Sequence, residues 1–334
     1  MLKVGVIGGG RMGTVHATTL KNLKDVKISG VYDIDSLQAK TFTETFGSTS
    51  YAGPEELAAS PEVDFILICS PTYCHLEGVK AAMKTAKPIF CEKPLCRTKA
   101  ELKEFAPLIT SYKNLFAIGF VRRYSAGTIM MKKMIEEGKL GNLICGSIKC
   151  MFGGYKREWG DWFADYDKSG GVTLDMLAHH CDLQNSIVGK PLSVYAKAFM
   201  LDRSKDKPYD YVSATATFKN GYFSNIESSW LRNGFSDTYM MVYGDKASLK
   251  LSDSEGLIFY EEGKAPQTIE LDESIVGHLQ ETISGNMYAM EMAVLVDCVR
   301  NGKKPYAGAE AAIDAMTFCL GMIDSAETGK VVTF

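Results

Sequence analysis

The sequence predicts an α/β protein of two domains, a parallel sheet with helices on both faces and then an α/β domain on an open, mostly antiparallel sheet. Strands and helices alternate over about the first 120 residues, which is the pattern of a parallel sheet. From about residue 122 the strands show period-two patterning and a hairpin turn. A chain of 334 residues also exceeds what one core usually supports. We place the domains at residues 1–121 and 122–334, with closing helices that can pack back on the first domain.

The first strand and the glycine turn after it are the most specific feature of the chain. The strand, residues 2–7, runs directly into a turn that contains Gly8, Gly10 and Gly13, and a helix is expected over residues 14–20. In a dinucleotide site the first glycine allows the tight turn, the second lets the backbone approach the pyrophosphate, and the third lets the helix pack on the strand. This order of elements predicts a Rossmann dinucleotide-binding domain, whereas a nucleotide-free parallel sheet with a glycine turn is the plainer alternative.

An acidic residue at the end of the second strand predicts the choice of cofactor. The strand, residues 26–32, ends at Asp33, which lies twenty residues past Gly13, where a ribose-binding acid is expected. Its carboxylate would repel the 2′-phosphate of NADP, and Asp35 would add to that repulsion. Arg11 could offset this charge, but we expect it near the pyrophosphate. The sequence therefore predicts NAD rather than NADP.

The remaining elements follow from hydrophobic patterning and turn residues. Three further strands of the first sheet are expected at 63–69, 88–91 and 115–119, with helices at 77–85 and 99–109 between them. In the second domain we expect helices at 125–137 and 173–187 and strands at 213–218 and 222–227. The turn Lys219-Asn220-Gly221 predicts a hairpin between those strands. Helices at 288–300 and 307–326 close the chain.

Two short motifs follow strands of the first domain. Ser70-Pro71-Thr72 follows the strand that ends at Cys69, and Glu92-Lys93-Pro94 follows the strand that ends at Cys91. Ligands of parallel sheets bind at the carboxyl ends of the strands. Both motifs should therefore lie beside the nucleotide, although a lysine in isolation is more often a solvated surface residue.

A helix of the second domain carries a histidine with acidic neighbours. Asp175 and His179 are four residues apart, a spacing that places both side chains on one helix face, and Asp182 follows on that face. His180 points about a quarter turn away. A carboxylate can orient a histidine and raise its basicity, which makes it a usable general base near neutral pH. The alternatives are a structural Asp–His contact and, less favoured, a metal site.

Composition and charge exclude several classes of protein. The net charge is −3 and the isoelectric point is near 6.0, which gives no electrostatic basis for nucleic-acid binding. No apolar run approaches the roughly 20 residues that cross a bilayer, and the first residues form a core strand rather than a signal peptide. The nine cysteines suit reduced thiols in a cytoplasmic protein, and their C-x4-C pairs are too dispersed to predict a metal site.

These motifs together resemble the glucose–fructose oxidoreductase/inositol dehydrogenase/rhizopine-catabolism (Gfo/Idh/MocA) family over the whole chain. The matching residues are Gly8 to Gly13 with His16, Ser70-Pro71-Thr72 with His75, Glu92-Lys93-Pro94, Phe120 to Tyr124, and Gly170-Gly171 with Asp175, His179 and Asp182. One departure is the His179-His180 doublet, because the family more often has an acidic residue after the catalytic histidine. The resemblance implies a Rossmann domain, a C-terminal domain with an open sheet, and homodimers or homotetramers that pair through that sheet.

The resemblance also implies roles for particular residues. Lys93 would hydrogen-bond the reacting oxygen, His179 would exchange its proton and Asp175 would support His179. The expected cofactor-binding residues are Gly8, Gly10, Arg11, Met12, Gly13, Asp33, Ser70, Pro71, Thr72, His75, Glu92 and Lys93. The expected substrate-binding residues are Arg123, Tyr155, Trp162 and Asp182.

The aromatic residues of the loop expected between the domains are candidates for substrate recognition, because aromatic faces stack on the C–H surfaces of sugars. The loop contains Tyr155, Trp159, Trp162 and Tyr166, and Arg157 and Asp161 could bind hydroxyl groups. The alternative is that Trp159 and Trp162 simply anchor the loop on the core.

The sequence therefore predicts an NAD-dependent dehydrogenase that oxidises a secondary hydroxyl of a cyclic polyol or sugar. A second possibility is a glycoside-cleaving enzyme that oxidises C3 transiently and then eliminates the aglycone. A third is a non-catalytic NAD(P)-sensing regulator, against which the presence of Lys93, Asp175 and His179 together argues.

Overall fold

The computed structural model describes residues 1–152, 162, 165–200, 209–230, 234, 236–271 and 286–334. The chain divides into two compact units. The first holds Met1–Tyr124 and the described residues between 286 and 313, and the second holds the other described residues.

The described helices and strands are, in chain order, β1 (Leu2–Ile7), α1 (Arg11–Lys21), β2 (Val26–Tyr32), α2 (Ser36–Phe46), β3 (Thr49–Ser50), α3 (Pro54–Ala59), β4 (Phe65–Ile68), α4 (His75–Met83), β5 (Ile89–Cys91), α5 (Lys99–Ser111), β6 (Phe116–Ile118), α6 (Ala126–Glu136), β7 (Leu143–Met151), α7 (Tyr166–Ser169), α8 (Gly171–Asp175), α9 (Leu177–Val188), β8 (Pro191–Phe199), β9 (Tyr211–Phe218), β10 (Phe223–Ser229), β11 (Asp237–Gly244), β12 (Ala247–Ser252), β13 (Gly256–Glu261), β14 (Gln267–Thr268), α10 (Met287–Asn301), α11 (Ala309–Thr328) and β15 (Val332–Thr333). Short 3₁₀ segments lie at Thr72–Cys74, Val121–Tyr124 and Lys219–Gly221.

The first unit is built on a parallel sheet in the order β3-β2-β1-β4-β5-β6. Each neighbouring pair is parallel. This is the doubly-wound dinucleotide-binding order, in which the chain reverses direction across the sheet between β1 and β4. The predicted Rossmann fold is confirmed. The sequence prediction omitted the two-residue β3 and the helices α2 and α3.

Part of the core of the first unit lies between this sheet and the helices α1 and α10. Val4, Val6 and Leu67 from the strands pack with Leu20 of α1 and Leu295 of α10, all without exposed surface. Burial of each large apolar side chain contributes roughly 1.5–3 kcal/mol. The helix α10, which comes late in the sequence, therefore belongs to the hydrophobic core of the first unit.

Local sequence signals fix the ends of several helices. Asp35 caps α2 by accepting from the amides of Leu37 and Gln38, and Gly47 ends that helix at φ +64°. Ser125 caps α6 through the amide of Thr128. Such caps satisfy backbone groups that a helix end leaves without intrahelical partners.

In the described part of the second unit, nine strands form one sheet in the order β14-β13-β12-β11-β7-β10-β9-β8-β15. The pair β7–β10 is parallel, and the other neighbouring pairs are antiparallel. This confirms the predicted mostly antiparallel sheet. Alternate residues face a core, as the paired Ile148, Ile226 and Met240 show by their near-complete burial.

The predicted hairpin joins β9 and β10. Asn220 and Gly221 both adopt positive φ, +62° and +78°, as a tight turn between twisted strands requires. The amide of Phe218 donates to the carbonyl of Tyr222 at 2.8 Å and closes the turn.

The single helix expected over residues 173–187 is wrong in its continuity. The structure has two helices, α8 ending at Asp175 and α9 beginning at Leu177, with Met176 between them at φ −90° and ψ −45°. Periodicity could not reveal this break, because Met176 still lies in the right-handed helical region of φ/ψ.

None of the described helices combines the length and the apolar character needed to cross a bilayer.

Candidate active site

Gly8, Gly10 and Gly13 of the N-terminal turn differ in what a side chain would meet at each position. Gly8 has φ +96°, and a Cβ there would lie 2.4 Å from the amide nitrogen of Ser70. A Cβ on Gly13 would lie 2.1 Å from the carbonyl oxygen of Gly8, so this residue sets how closely α1 packs on the turn. A Cβ on Gly10 would meet no atom within 4 Å. The space beside Gly10 is therefore open, as approach of a ligand to the backbone requires.

The N-terminus of α1 fits an anion. Gly10 occupies the N-cap position, no side chain caps the helix, and its first turn holds no acidic residue. Arg11 is exposed and Met12 is half-buried. Uncapped amides and the positive end of the helix dipole favour a phosphate group at this position. The residues present thus suit the pyrophosphate of a dinucleotide.

Asp33 is held directly beside the glycine turn. Its Oδ2 accepts a hydrogen bond from the amide of Gly9 at 2.8 Å, and its Oδ1 accepts from the amide of Asp35 at 2.9 Å. Gln38, which the sequence analysis missed, donates from Nε2 to the carbonyl of Gly9 at 2.7 Å. These bonds fasten the turn to the end of β2 and place a carboxylate where a ribose-binding acid is expected.

The loop after β4 is connected to the loop after β5 by His75. This side chain is buried; its Nδ1 lies 3.0 Å from the carbonyl oxygen of Pro94 and its Nε2 lies 2.9 Å from that of Ser70. Burial lowers the pKa of His75, although the neighbouring carbonyls oppose this. Thr72 is also buried, and Pro71 is half-buried. His75 therefore sits behind the two loops and joins them.

Glu92 and Lys93 follow β5 at the same carboxyl edge. Glu92 is buried, and its Oε2 accepts the backbone amide of Lys93 at 3.0 Å. Lys93 is half-buried and its peptide bond to Pro94 is cis. Burial alone would raise the pKa of Glu92, but the hydrogen bond and charge of His16, with the charge of Lys93, hold it below its usual value. The first unit thus brings the glycine turn, Asp33, the 70–72 loop and Lys93 to one edge of its sheet.

Glu291 is a buried acid that sequence reasoning overlooked. It has no exposed surface, and burial, with the charge of Glu92, raises its pKa well above the usual value. Among the described residues neither of its carboxyl oxygens has a hydrogen-bond partner. A glutamate between Met290 and Met292 in an apolar helix was the signal that could have found it.

The second unit places Asp175 and His179 on either side of the helix break. Gly170 and Gly171 both have φ +73°, which favours glycine and starts α8. Asp175 is the last residue of α8, and His179 lies in the first turn of α9; both are half-buried.

The neighbouring residues of α9 face the interior. His180 is buried and its Nδ1 lies 3.2 Å from the carbonyl oxygen of Met176, so it supports the helix junction. Asp182 is also buried. His179 is therefore the more accessible histidine of the doublet.

The structure describes only some of the other residues that are expected to bind the substrate. The guanidinium of Arg123 donates to the carbonyl of Tyr306 within the first unit. Trp162 is half-buried, and its carbonyl accepts the amide of Asp165 at 3.1 Å. Tyr155, Arg157, Trp159 and Asp161 lie outside the described residues. Where the structure is described, no group of three His, Cys, Asp or Glu side chains could hold a metal ion.

Family models match both parts of the chain. Residues 2–120 match the oxidoreductase family with an NAD-binding Rossmann fold, and residues 128–250 match the GFO/IDH/MocA C-terminal domain. Among solved structures, levoglucosan dehydrogenase in complex with NADH and levoglucosan covers 99% of this chain and is itself covered over 99%, with a TM-score of 0.89 at 20% identity. That level of identity supports the fold alone.

Curated relatives are similar over most of their length. Myo-inositol 2-dehydrogenase of Thermotoga maritima is 30% identical over 278 residues, 81% of this chain and 79% of that protein. Glucose-6-phosphate 3-dehydrogenase of Bacillus subtilis is 29% identical over 243 residues, 69% of this chain and 68% of that protein. The strand–glycine–helix site, the doubly-wound sheet and these similarities lead to one conclusion: the chain is an NAD-binding oxidoreductase and belongs to the Gfo/Idh/MocA family.

Proposed function

We propose that this protein is an NAD-dependent dehydrogenase that oxidises a secondary hydroxyl of a cyclic polyol or sugar. The observation that carries the proposal is the similarity, over four fifths of the chain, to a protein named myo-inositol 2-dehydrogenase. The similarity to a glucose-6-phosphate dehydrogenase that acts at carbon 3 supports the same reaction type on a sugar ring.

The residues that would hold the cofactor belong to the first unit. The uncapped amides after Gly10 suit the pyrophosphate and Asp33 suits the adenosine ribose. The loops at Ser70 and Glu92 lie at the same sheet edge, where a bound dinucleotide continues. When bound, the nicotinamide supplies the acceptor for the hydride that leaves the carbinol carbon.

The protein's own groups handle the proton and the charge on oxygen. His179 takes the hydroxyl proton at a ring nitrogen, as a general base. Asp175 orients that ring and favours its protonated form. The ammonium of Lys93 stabilises the negative charge that develops on the reacting oxygen. Asp182, Arg123, Tyr155 and Trp162 are the proposed contacts to the remaining hydroxyl groups and to the C–H face of the ring.

We also propose that the protein forms homo-oligomers through the open face of the nine-stranded sheet. Tyr195, Phe199, Phe223 and Tyr243 lie on alternate strand positions that share this face, and their side chains are 38–42% exposed. Exposed aromatic residues grouped on one face are typical of protein interfaces. A second copy of the same sheet face is the partner that we propose.

The test of the catalytic roles compares three variants with the wild type. Lys93→Met and His179→Ala should lower kcat by roughly 10²–10⁴-fold, the usual effect of a lost acid–base group. Both should bind NADH with unchanged Kd, measured by protein fluorescence. His180→Ala is the matched control, since this ring supports the helix junction. It should lower the melting temperature and change kcat little. If His180→Ala lowered kcat strongly and His179→Ala lowered it only slightly, the assignment of the general base would be reversed.

The substrate class is tested by following NADH absorbance with inositols, aldoses, sugar phosphates and glycosides. Turnover of a free polyol or sugar to a ketone supports the dehydrogenase. Release of the aglycone from a glycoside would instead identify the eliminating enzyme. NADH binding without turnover of any of these compounds would favour the regulator.

A further inference from the structure

His16 lies on the inner side of α1, one helical turn after Gly13. Its side chain has no exposed surface, and its Nε2 lies 2.5 Å from Oε1 of Glu92. The ring also makes edge contacts with Phe90, at 5.1 Å between centroids, and with Tyr288, at 5.8 Å. An ionised Glu92 can only accept hydrogen bonds, so Nε2 is the nitrogen that carries the hydrogen.

Glu92 connects His16 to the backbone of Lys93. One carboxyl oxygen accepts from His16, and the other accepts the amide of Lys93 at 3.0 Å. A Cβ on Gly119 would lie 3.0 Å from Oε2, so the carboxylate lies close to the residue that follows β6, where a glycine leaves space for it. Both carboxyl oxygens are therefore engaged by hydrogen bonds inside the first unit.

This contact joins two parts of the nucleotide-binding unit that the sequence separates by 76 residues. The helix α1 begins at the turn that suits the pyrophosphate, and the loop after β5 carries Lys93. A buried carboxylate is costly unless it is paired and hydrogen-bonded. The pair therefore fixes the position of the loop relative to α1.

We propose that His16 is a positioning residue for Lys93, which it holds in place through the Glu92 carboxylate. The inference rests on the proposed function, because Lys93 is a catalytic group only in that function. His16 touches neither substrate nor cofactor in this role. It acts by keeping Glu92 ionised and correctly turned, so that the lysine backbone keeps one conformation.

The pH dependence follows from the electrostatics around Glu92. Burial opposes its ionised form and His16 offsets that effect, so removal of His16 should raise the pKa of Glu92. As the carboxyl takes up a proton at higher pH, the acidic limb of the kcat profile should move to higher pH. Among the described residues, several other titratable groups interact electrostatically with Glu92. They are Cys69, His75, Cys91, Lys93, Tyr288 and Glu291.

The experiment uses His16→Leu, which keeps the volume and removes the donor, and His16→Gln, whose amide can still reach Glu92. In the leucine variant we expect kcat to fall roughly tenfold to a hundredfold, as small misplacements of a catalytic group do. Its acidic limb should move to higher pH, while the Kd for NADH stays unchanged. The glutamine variant should restore most of kcat and the wild-type profile. His16→Asn, whose amide is too short, should behave like His16→Leu and replaces it if the leucine variant does not fold.

Lys93→Met, measured in parallel, separates the positioning role of His16 from the proposed function. If it lowers kcat while folded His16→Leu and His16→Asn keep wild-type kcat and pH profile, the positioning role is overturned and the proposed function stands. If Lys93→Met itself keeps wild-type kcat, the catalytic role of Lys93 and the positioning role of His16 are both overturned. A lower melting temperature together with a weaker NADH affinity in His16→Leu, at an unshifted pH profile, would identify a purely structural contact. That result would also overturn the proposal.

Discussion

Gly10 and Gly13 are three residues apart, and substitution of each should affect stability differently. The space around Gly10 is open and its φ of −68° suits any residue, so Gly10→Val should fold. The added side chain would occupy the position where a pyrophosphate approaches the backbone. We expect NADH affinity to be lost at a nearly unchanged melting temperature, which fluorescence titration and thermal unfolding can measure.

Gly13→Ala is the matched control for that variant. Its Cβ would lie 2.1 Å from the carbonyl oxygen of Gly8, so the helix or the turn must shift. This variant should lower the melting temperature as well as the affinity. Wild-type NADH binding by folded Gly10→Val would show that the dinucleotide does not approach this turn.

Asp33 should decide between the two nicotinamide cofactors. Its carboxylate is fixed by the amides of Gly9 and Asp35, so it cannot turn away from a 2′-phosphate. We expect Asp33→Ser to raise kcat/KM for NADP and to lower it for NAD, because like-charge repulsion and the ribose hydrogen bonds are lost together.

Asp35→Ser is the control for the removal of one acidic group from this loop, and it should change the ratio of kcat/KM for the two cofactors much less. Asp35 also caps α2 through the amides of Leu37 and Gln38, so the melting temperature of Asp35→Ser should be measured together with its kcat/KM values. A wild-type preference for NADP, or no gain for NADP in Asp33→Ser, would remove Asp33 from this role.

At the scale of elements, α10 carries an acid whose titration should be visible in stability. Because burial raises the pKa of Glu291, the folded state binds this proton more tightly than the unfolded state does. The contribution of Glu291 to the free energy of unfolding should therefore fall as pH rises above the unfolded pKa of about 4.3, by up to about 1.4 kcal/mol per pH unit. Glu291→Gln lacks this titration, so its free energy of unfolding relative to the wild type should rise with pH.

Urea unfolding of both proteins between about pH 5 and 8 measures that difference. Glu44→Gln, which removes an exposed glutamate from α2, is the control for the loss of a carboxylate at the surface. A difference between Glu291→Gln and the wild type that stays constant with pH would mean that Glu291 is ionised in the folded protein.

The pairing of whole molecules should depend on the open face of the second sheet. Phe223 and Tyr243 pair with the same residue of β7, Cys145, and therefore lie on one face. Phe223→Glu would bury a charge in the proposed interface and should dissociate the oligomer, as light scattering after size-exclusion chromatography would show. Ile144→Glu, at an exposed position whose side chain alternates to the other face, is the control and should keep the wild-type mass. An unchanged mass for Phe223→Glu, or a monomeric wild type, would contradict the proposal.

Much of the molecule was predictable from the sequence because its signals are local. The glycine turn, the alternation of strand and helix, and the Asn220-Gly221 hairpin each depend on neighbouring residues, and the structure confirms the fold class that they predict. Asp33 likewise follows from strand length and spacing. The short strand β3 escaped prediction, because two residues carry no periodicity.

Only the tertiary structure decided which buried polar groups meet. The contact of His16 with Glu92 joins residues 76 positions apart, and Glu291 comes near Glu92 from a helix at the far end of the chain. The break at Met176 between Asp175 and His179 also left no trace in the spacing of apolar residues. Such features depend on desolvation and on side-chain geometry across the core, and those quantities are set by packing between distant segments rather than by any local sequence pattern.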